Sequence, residues 1–301
     1  MPKAGYASLV GRPNAGKSTL LNRLVGTKLA IVSDKPQTTR TRILGVRNYP
    51  EAQVVFVDTP GIHRPLHRMN VRMVDAAVET IGEVDVLGLV VDVTEPPGKG
   101  DQFVVDLVKH ATAPVFLILN KIDLIKKSKL LPIMQQYSEL GTFAEIVPVS
   151  AGTGDNVDRL ERVILDRLPE GEARYPPEYL TDQPERFFAA EIVREKLLQF
   201  THAEIPFSSA VVMERFEEAE GEQGRKGLLR LYCTIVVDRE SHKPIVVGKG
   251  GDMIKRIGTA AREELEKFFG TRVYLDLHVK VEAEWREDER VLNDIGLGPR
   301  K

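Results

Sequence analysis

Residues 11–19 decide the fold of this chain, and they read Gly11-Arg12-Pro13-Asn14-Ala15-Gly16-Lys17-Ser18-Thr19. A strand-like apolar run, residues 6–10, precedes them, and a helix-like run, residues 20–25, follows them. The spacing G-x-x-x-x-G-K-[ST] is typical of a loop that cradles phosphate, because glycines let successive N–H groups turn inward and the following helix adds its positive end. We predict that all of these residues bind a nucleotide, with Lys17 at the outer phosphates and the Ser18 hydroxyl on Mg²⁺.

The composition is that of a globular protein, and 301 residues are enough for two domains. A net charge of −2 means that any surface for nucleic acid has to be a local patch. Cys233 is the only cysteine, which fits a reducing compartment. The longest apolar run, residues 84–93, is too short to span a bilayer, and the start leaves no room for a signal peptide. We expect a cytoplasmic protein and leave open a peripheral contact with the inner face of the membrane.

A polar stretch, residues 33–42, is predicted to be a loop, and its three threonines could each offer a hydroxyl to Mg²⁺. The next strand, residues 53–57, ends in Asp58-Thr59-Pro60-Gly61. A D-x-x-G tetrad is expected about once by chance in such a chain, and residues 85–88 also match. Only Asp58 follows a strand, where α/β sheets place ligands, so it is the predicted Mg²⁺ ligand and the Gly61 N–H is predicted to meet the terminal phosphate.

The predicted strand at residues 114–119 ends in Asn120-Lys121-Ile122-Asp123. Asp123 can accept both the ring N–H and the exocyclic amine of guanine, a donor pair that adenine lacks. The stem of Lys121 can lie along the base, Asn120 can tie neighbouring loops together, and Leu124 follows directly. After a strand at residues 145–149, the backbone N–H groups of Ser150, Ala151 and Gly152 could read guanine O6.

These motifs resemble the nucleotide site of translation-factor-class P-loop GTPases. The resemblance implies an α/β domain with a mostly parallel six-stranded sheet flanked by helices, and the alternating strand and helix patterns favour the same fold. Gln37-Thr38-Thr39-Arg40 resembles the first switch of such enzymes, which makes Thr39 the first choice and Thr38 the second as an Mg²⁺ ligand. The implied ligands are GTP or GDP with Mg²⁺.

One position departs from the Ras-like pattern. Ile62 stands where those enzymes have a glutamine that orients the attacking water, and its side chain cannot do so. In related GTPases an asparagine in the phosphate loop helps to hold K⁺ against the phosphates, so the resemblance implies this role for Asn14. The predicted catalytic residues are therefore Asn14, Lys17, Thr39 and Gly61, and the expected nucleotide contacts also include Ile62.

We expect a GTPase domain at 1–168, a proline-containing linker at 169–185, a smaller domain at 186–283 and a tail at 284–301. The smaller domain has the predicted order helix-strand-strand-helix-helix-strand, which resembles a type II KH domain of the α+β class. Trp285 lies in the tail and is expected to pack rather than to bind.

The sequence Gly248-Lys249-Gly250-Gly251 fits the G-x-x-G loop by which KH domains clamp an RNA backbone. Residues 221–224 and 224–227 match as well, but they lie in a polar excursion. The predicted RNA-binding residues combine small, basic and apolar side chains, namely Ile245, Val247, Gly248, Lys249, Gly250, Gly251, Lys255 and Arg256.

A P-loop GTPase followed by one KH domain resembles the Era family of bacterial ribosome-assembly GTPases. The resemblance implies a monomeric switch that binds 16S ribosomal RNA near its 3′ end and assists maturation of the 30S subunit. Two other interpretations stay open. The nucleotide site of an RNA-binding protein could be mainly structural, or the small domain could bind protein or membrane.

Overall fold

The computed structural model describes residues 2–35, 37–62, 67–220 and 226–298. They form two compact units. The first comprises the described residues before position 67 together with 70–182, and the second comprises 67–69 and the described residues from 183 onward. The alternative tetrad at 221–224 lies outside the described residues, as does the first glycine of the one at 224–227. Within the described part of the chain, no helix has both the length and the apolar character needed to cross a bilayer.

The first unit is built on a six-stranded sheet in the order β2-β3-β1-β4-β5-β6. Its strands are β1 (Lys3–Val10), β2 (Ile43–Tyr49), β3 (Ala52–Asp58), β4 (Val86–Asp92), β5 (Val115–Asn120) and β6 (Glu145–Pro148). All neighbours are parallel except β2, which runs antiparallel to β3, so the expected sheet is confirmed. β2 escapes sequence analysis because its few apolar residues are followed by Arg47 and Asn48.

Helices cover both faces of this sheet, which is why its strands are nearly continuous apolar runs. They are α1 (Lys17–Val25), α2 (Arg68–Gly82), α3 (Lys99–Val108), α4 (Leu130–Leu140) and α5 (Val157–Arg167). In the strand register Leu9 pairs with Asp58 and Asp92 pairs with Asn120. The polar residues that end these strands therefore meet at one edge of the sheet.

Residues 174–182 lie against β2 and β3 of the first sheet. The Val46 N–H donates to the Leu180 carbonyl at 2.8 Å, and the Gln53 side chain binds the backbone of Arg174 and Tyr175 at 2.7–2.9 Å. The first of these bonds pairs a backbone N–H of the edge strand β2 that would otherwise be left to solvent. The domain bounds proposed from the sequence stay a prediction.

The second unit places helices on a three-stranded sheet in the order β7-β8-β9. Its elements are α6 (Glu185–Phe200), α7 (Ile205–Ser208), β7 (Ser209–Glu220), β8 (Lys226–Val237), α8 (Lys243–Val247), α9 (Asp252–Phe269), β9 (Val273–Val281) and α10 (Glu289–Asp294). β7 and β8 are antiparallel, and β8 and β9 are parallel. α9 begins at Asp252, directly after Gly251, which adopts the left-handed conformation with a φ of 84°. Trp285 is buried, and its Nε1 donates to the Ser208 carbonyl at 3.0 Å.

Candidate nucleotide site and RNA-facing loop

The loop between β1 and α1 is shaped by close approaches at its glycines. A Cβ on Gly11 would lie 2.2 Å from the Val90 carbonyl oxygen, and a Cβ on Gly16 would lie 2.2 Å from Nδ2 of Asn120. Gly16 also has a φ of 91° and Asn14 a φ of 64°. The tight curl predicted for a phosphate loop therefore depends on residue types that tolerate these positions.

Lys17 lies buried within this curl. Its Nζ donates to the carbonyl oxygens of Gly11 at 3.1 Å and Arg12 at 3.0 Å. Burial lowers the pKa of Lys17 to about 8, while the carboxylate of Asp58 acts in the opposite direction. An anionic ligand in the loop would favour the charged ammonium.

Ser18, Thr39 and Asp58 converge on one point beside Lys17. The hydroxyls of Ser18 and Thr39 lie 2.6 Å apart, and Asp58 Oδ2 accepts from both, at 2.9 and 3.2 Å. Asp58 Oδ1 is buried and has no hydrogen-bond partner among the described residues. Burial raises the pKa of Asp58, and the nearby Lys17 opposes that shift. Two hydroxyls and a carboxylate with one free oxygen form the all-oxygen set that Mg²⁺ prefers, so these residues fit the predicted ion.

The two candidate threonines of the first switch point to different partners. Thr39 is buried and bonds Asp58, whereas the Thr38 hydroxyl donates to the Lys35 carbonyl at 2.6 Å. The described residues of the 33–42 loop form neither helix nor strand. This geometry favours Thr39 as the metal ligand.

The segment after β3 lies directly against the phosphate loop. A Cβ on Gly61 would lie 2.8 Å from Cα of Pro13, and the Ile62 N–H donates to the Gly11 carbonyl at 3.0 Å. The Ile62 side chain is only 1% exposed. It belongs to the hydrophobic core, so it offers no polar atom to an attacking water.

Asn120 links the phosphate loop to the loop after β6. Its Nδ2 donates to the Ala15 carbonyl at 2.8 Å, and its Oδ1 accepts from the Ala151 N–H at 2.9 Å. Both of its polar side-chain atoms are thereby engaged within the protein, which makes Asn120 a tie between two loops.

The residues after Asn120 leave the Asp123 side chain accessible to a ligand. Lys121 has a φ of 68° and forms an ion pair with Asp92 at the end of β4. Asp123 and Leu124 follow in a one-turn helix, and both side chains are exposed, Leu124 by 65%. Asp123 therefore presents its carboxylate at the surface, as reading a base requires.

Arg23 is a contributor that sequence analysis missed. Its Nε donates to the Ala151 carbonyl and its Nη2 to the Gly152 carbonyl, both at 2.7 Å. An arginine on the polar face of a helix carries no local signal for such a role, because its partners lie more than a hundred positions away in the chain.

The remaining predicted residues surround these groups. Asn14 Nδ2 donates to the Asp34 carbonyl at 2.8 Å, Arg12 forms a 2.9 Å ion pair with Asp101, and the Thr59 hydroxyl donates to the Leu9 carbonyl. A cavity of about 360 Å³ opens over the phosphate loop, lined among others by Asn14, Gly16, Lys17, Ser18, Thr19, Thr39 and Gly61.

In the second unit, the Gly248–Gly251 loop joins α8 to α9. A Cβ on Gly248 would lie 2.6 Å from the Met253 backbone nitrogen, whereas at Gly250 and Gly251 it would meet nothing within 4 Å. Both of these open glycines have positive φ, 61° and 84°. Lys249, Lys255 and Arg256 are exposed, although the Arg256 guanidinium also lies over the Phe200 ring at 4.9 Å. The loop thus offers open backbone and positive charge.

Apolar residues beside this loop were only partly predicted. Ile245 is 46% exposed and Val247 is partly buried, in line with a groove wall. Met253, Ile254, Leu275 and Leu277 are also partly buried against the same core. Sequence analysis named Lys255 and Arg256 of α9 as RNA-binding, but none of these four apolar residues, because an apolar pattern does not reveal which side chains stay partly exposed.

Comparison with known proteins agrees with this geometry. A family model described as a 50S ribosome-binding GTPase matches residues 6–121, and a KH domain model matches residues 204–286. GTPase Era of Geobacter metallireducens is 49% identical over 98% of this chain and 97% of its own length. The chain belongs to the Era family of GTPases. GTPase Era of Heliobacterium modesticaldum is 47% identical over 98% of this chain and 97% of its own length.

Two solved Era structures superimpose on nearly the whole chain. Era in complex with MgGDPNP and nucleotides 1506–1542 of 16S ribosomal RNA has a TM-score of 0.94 and 42% identity, covering 99% of this chain and all of the other. An Aquifex aeolicus Era variant bound to GDP and aluminium fluoride has a TM-score of 0.92 at 42% identity, covering 99% of this chain and all of the other. The α/β GTPase fold with a KH domain is thereby confirmed for this Era-family chain.

Proposed function

We propose that this Era-family chain is a GTP-binding and GTP-hydrolysing switch that binds 16S ribosomal RNA near its 3′ end and assists maturation of the 30S subunit. The observation that carries the proposal is the convergence of Ser18, Thr39 and Asp58 beside Lys17. In a site of this kind, the third phosphate and its Mg²⁺ hold the loop that carries Thr39, and the loop is released when that phosphate is lost.

Mg²⁺, when bound, neutralises charge that develops on the phosphates. The chain's own residues hold and orient it. Ser18 and Asp58 stand on α1 and β3, whereas Thr39 comes from the loop that precedes β2. In this proposal Lys17 supplies positive charge to the outer phosphates, and the Gly61 N–H senses the last of them. Asp123, with Lys121 and Asn120, accounts for the choice of guanine.

Hydrolysis requires a substitute for the missing glutamine, because Ile62 is buried. Asn14 is exposed, and its Oδ1 accepts no hydrogen bond among the described residues, so it can ligate a cation such as K⁺. We expect faster GTP turnover in potassium than in sodium, and we expect Asn14→Ala to remove the difference. Equal rates in the two salts for the unsubstituted chain would contradict this part of the proposal.

RNA binding is assigned to the Gly248–Gly251 loop with Lys249, Lys255 and Arg256. The support is the open space above Gly250 and Gly251 and the exposed basic side chains around them. The related Era that was solved with 16S nucleotides 1506–1542 suggests the RNA to use as a probe. Binding through lysine and arginine has to weaken steeply as salt rises, whereas an apolar protein contact does not.

The decisive experiment measures the affinity of the full chain for that RNA fragment with a non-hydrolysable GTP analogue, with GDP and without nucleotide. A switch predicts at least a fivefold difference, on the order of 1 kcal/mol, between the GTP-analogue and GDP states. Equal affinities would favour the alternative in which the nucleotide site is mainly structural. The buried Ile62 is consistent with that alternative, because it cannot orient the attacking water.

We further propose that the chain works as a cytoplasmic monomer.

The sequence analysis left open a peripheral contact with the membrane, and flotation with vesicles that contain anionic lipid tests it. Recovery of the chain with vesicles at physiological salt would support that contact, and its absence from the vesicle fraction would remove it.

A further inference from the structure

Arg23 reaches from α1 to the loop that follows β6, Ser150–Gly154. Its two bonds to the Ala151 and Gly152 carbonyls are both 2.7 Å long. Space for the guanidinium depends on Gly154, where a Cβ would lie 2.6 Å from Nη1 of Arg23. α1 begins at Lys17, so one short helix connects the phosphate loop to this second loop.

The N–H groups of this loop have separate acceptors, with one exception. The Ser150 N–H donates to the Asp155 carbonyl, and the N–H groups of Thr153 and Gly154 donate to the hydroxyl and the carbonyl of Ser150. The Ala151 N–H donates to Asn120 Oδ1. The Gly152 N–H has no acceptor among the described residues. It is therefore the donor of this loop that a ligand can use without breaking an existing bond.

The bond from Arg23 acts on the same peptide group. The Ala151 carbonyl and the Gly152 N–H belong to one peptide unit, and in a trans peptide they point in opposite directions. A cation bonded to the carbonyl fixes the plane of that peptide and polarises its N–H, which makes the N–H a better donor. The donor faces away from Arg23.

We propose that Arg23 is a positioning residue for base recognition, which presents the Gly152 N–H to the O6 atom of a guanine nucleotide. The inference rests on the proposed function, because it needs guanine in the site that Asp123 marks. The two base contacts themselves are those predicted from the sequence, and the inference adds that Arg23 holds the peptide that carries the O6 donor. Asp123 reads the N1–H and the 2-amino group, and the peptide held by Arg23 reads O6.

The test compares three diphosphates on the nucleotide-free full chain, namely GDP, 6-thio-GDP and IDP. 6-thio-GDP keeps both donors that Asp123 reads and weakens only the acceptor at position 6, whereas IDP keeps O6 and lacks the 2-amino group. The unsubstituted chain should bind GDP about three- to tenfold more tightly than 6-thio-GDP, which is the usual contribution of one neutral hydrogen bond to affinity. In Arg23→Ala that preference should fall below about twofold, and the preference for GDP over IDP should persist.

Arg23→Lys keeps the charge but can reach one carbonyl at a time, so it should give an intermediate preference. Arg162→Ala removes a 71% exposed arginine side chain from α5 and should match the unsubstituted chain. Melting temperatures of all variants report folding.

An unchanged GDP to 6-thio-GDP ratio in Arg23→Ala would overturn the inference, as would a parallel loss of both preferences, since general damage to the site would explain it. Failure of the unsubstituted chain to bind GDP would instead refute the proposed function itself.

Discussion

At the residue scale, the proposed preference for guanine is tested at Asp123. Asp123→Asn replaces one of two acceptors by a donor, which suits the 2-oxo group of xanthine and opposes the 2-amino group of guanine. We expect the affinity for GDP to fall by about a hundredfold or more, because the 2-amino group of guanine then faces a donor, and the affinity for XDP to rise. Competition binding with both nucleotides measures the change.

A variant that still prefers GDP would remove Asp123 from the site. Asp155→Asn is the matched control, since Asp155 lies in the neighbouring loop and contributes its backbone carbonyl to Ser150.

Cys233 reports on the integrity of the second unit. It lies on β8, is 2% exposed and contacts the sulfur of Met213 at 3.8 Å. Burial raises its pKa to about 12, so the reactive thiolate is scarce at pH 8. Alkylation by iodoacetamide at pH 8 should be on the order of a thousandfold slower in the native chain than in urea. Comparable rates in the two conditions would mean that β8 is open to solvent.

At the scale of elements, the loop before β2 can be tested through its two adjacent threonines. Thr39→Ala removes a hydroxyl that bonds Asp58, whereas Thr38→Ala removes one that donates to the carbonyl of Lys35 in the same loop. We expect Thr39→Ala to lower Mg²⁺-dependent GTP hydrolysis at least tenfold with little change in GDP affinity. Thr38→Ala should retain most of the activity. The reverse order in steady-state turnover would make Thr38 the ligand.

The loop between α8 and α9 is tested by removing single charges. Lys249→Ala should weaken binding of the 16S fragment by about fivefold and reduce the slope of log affinity against log salt by about one, because one phosphate contact is lost. Lys267→Ala removes an exposed lysine at the far end of α9 and should leave both quantities unchanged. Fluorescence titration at several salt concentrations gives both. Equal effects of the two substitutions would indicate diffuse attraction instead of a defined site.

At the scale of the whole molecule, the position of the break between the two units has a measurable consequence. Residues 1–182 retain the segment that bonds Val46 and Gln53, whereas residues 1–168 lose it. Each of these four lost hydrogen bonds contributes about 1 kcal/mol, so the free energy of unfolding of the longer fragment should be about 4 kcal/mol higher. Urea denaturation of both fragments measures this. Equal stabilities would support the boundary at residue 168.

Local sequence was sufficient wherever a motif acts through its own backbone. The curl around Lys17, the end of α1 at Gly26 and the strand-end positions of Asp58 and Asn120 follow from spacing, glycine and the rule that parallel strands end at one edge. The same reasoning could not find β2, whose apolar residues are too few to stand out.

By itself, then, the sequence determined the class of site and the order of the two folds. The site follows from motifs of fixed spacing, and the folds follow from periodic patterns of apolar residues. Only the tertiary structure decided which threonine meets Asp58, which arginine holds the loop after β6, and where residues 174–182 pack. The reason is physical. Each of these contacts joins groups distant in the chain, and whether two such groups meet depends on how the intervening elements pack.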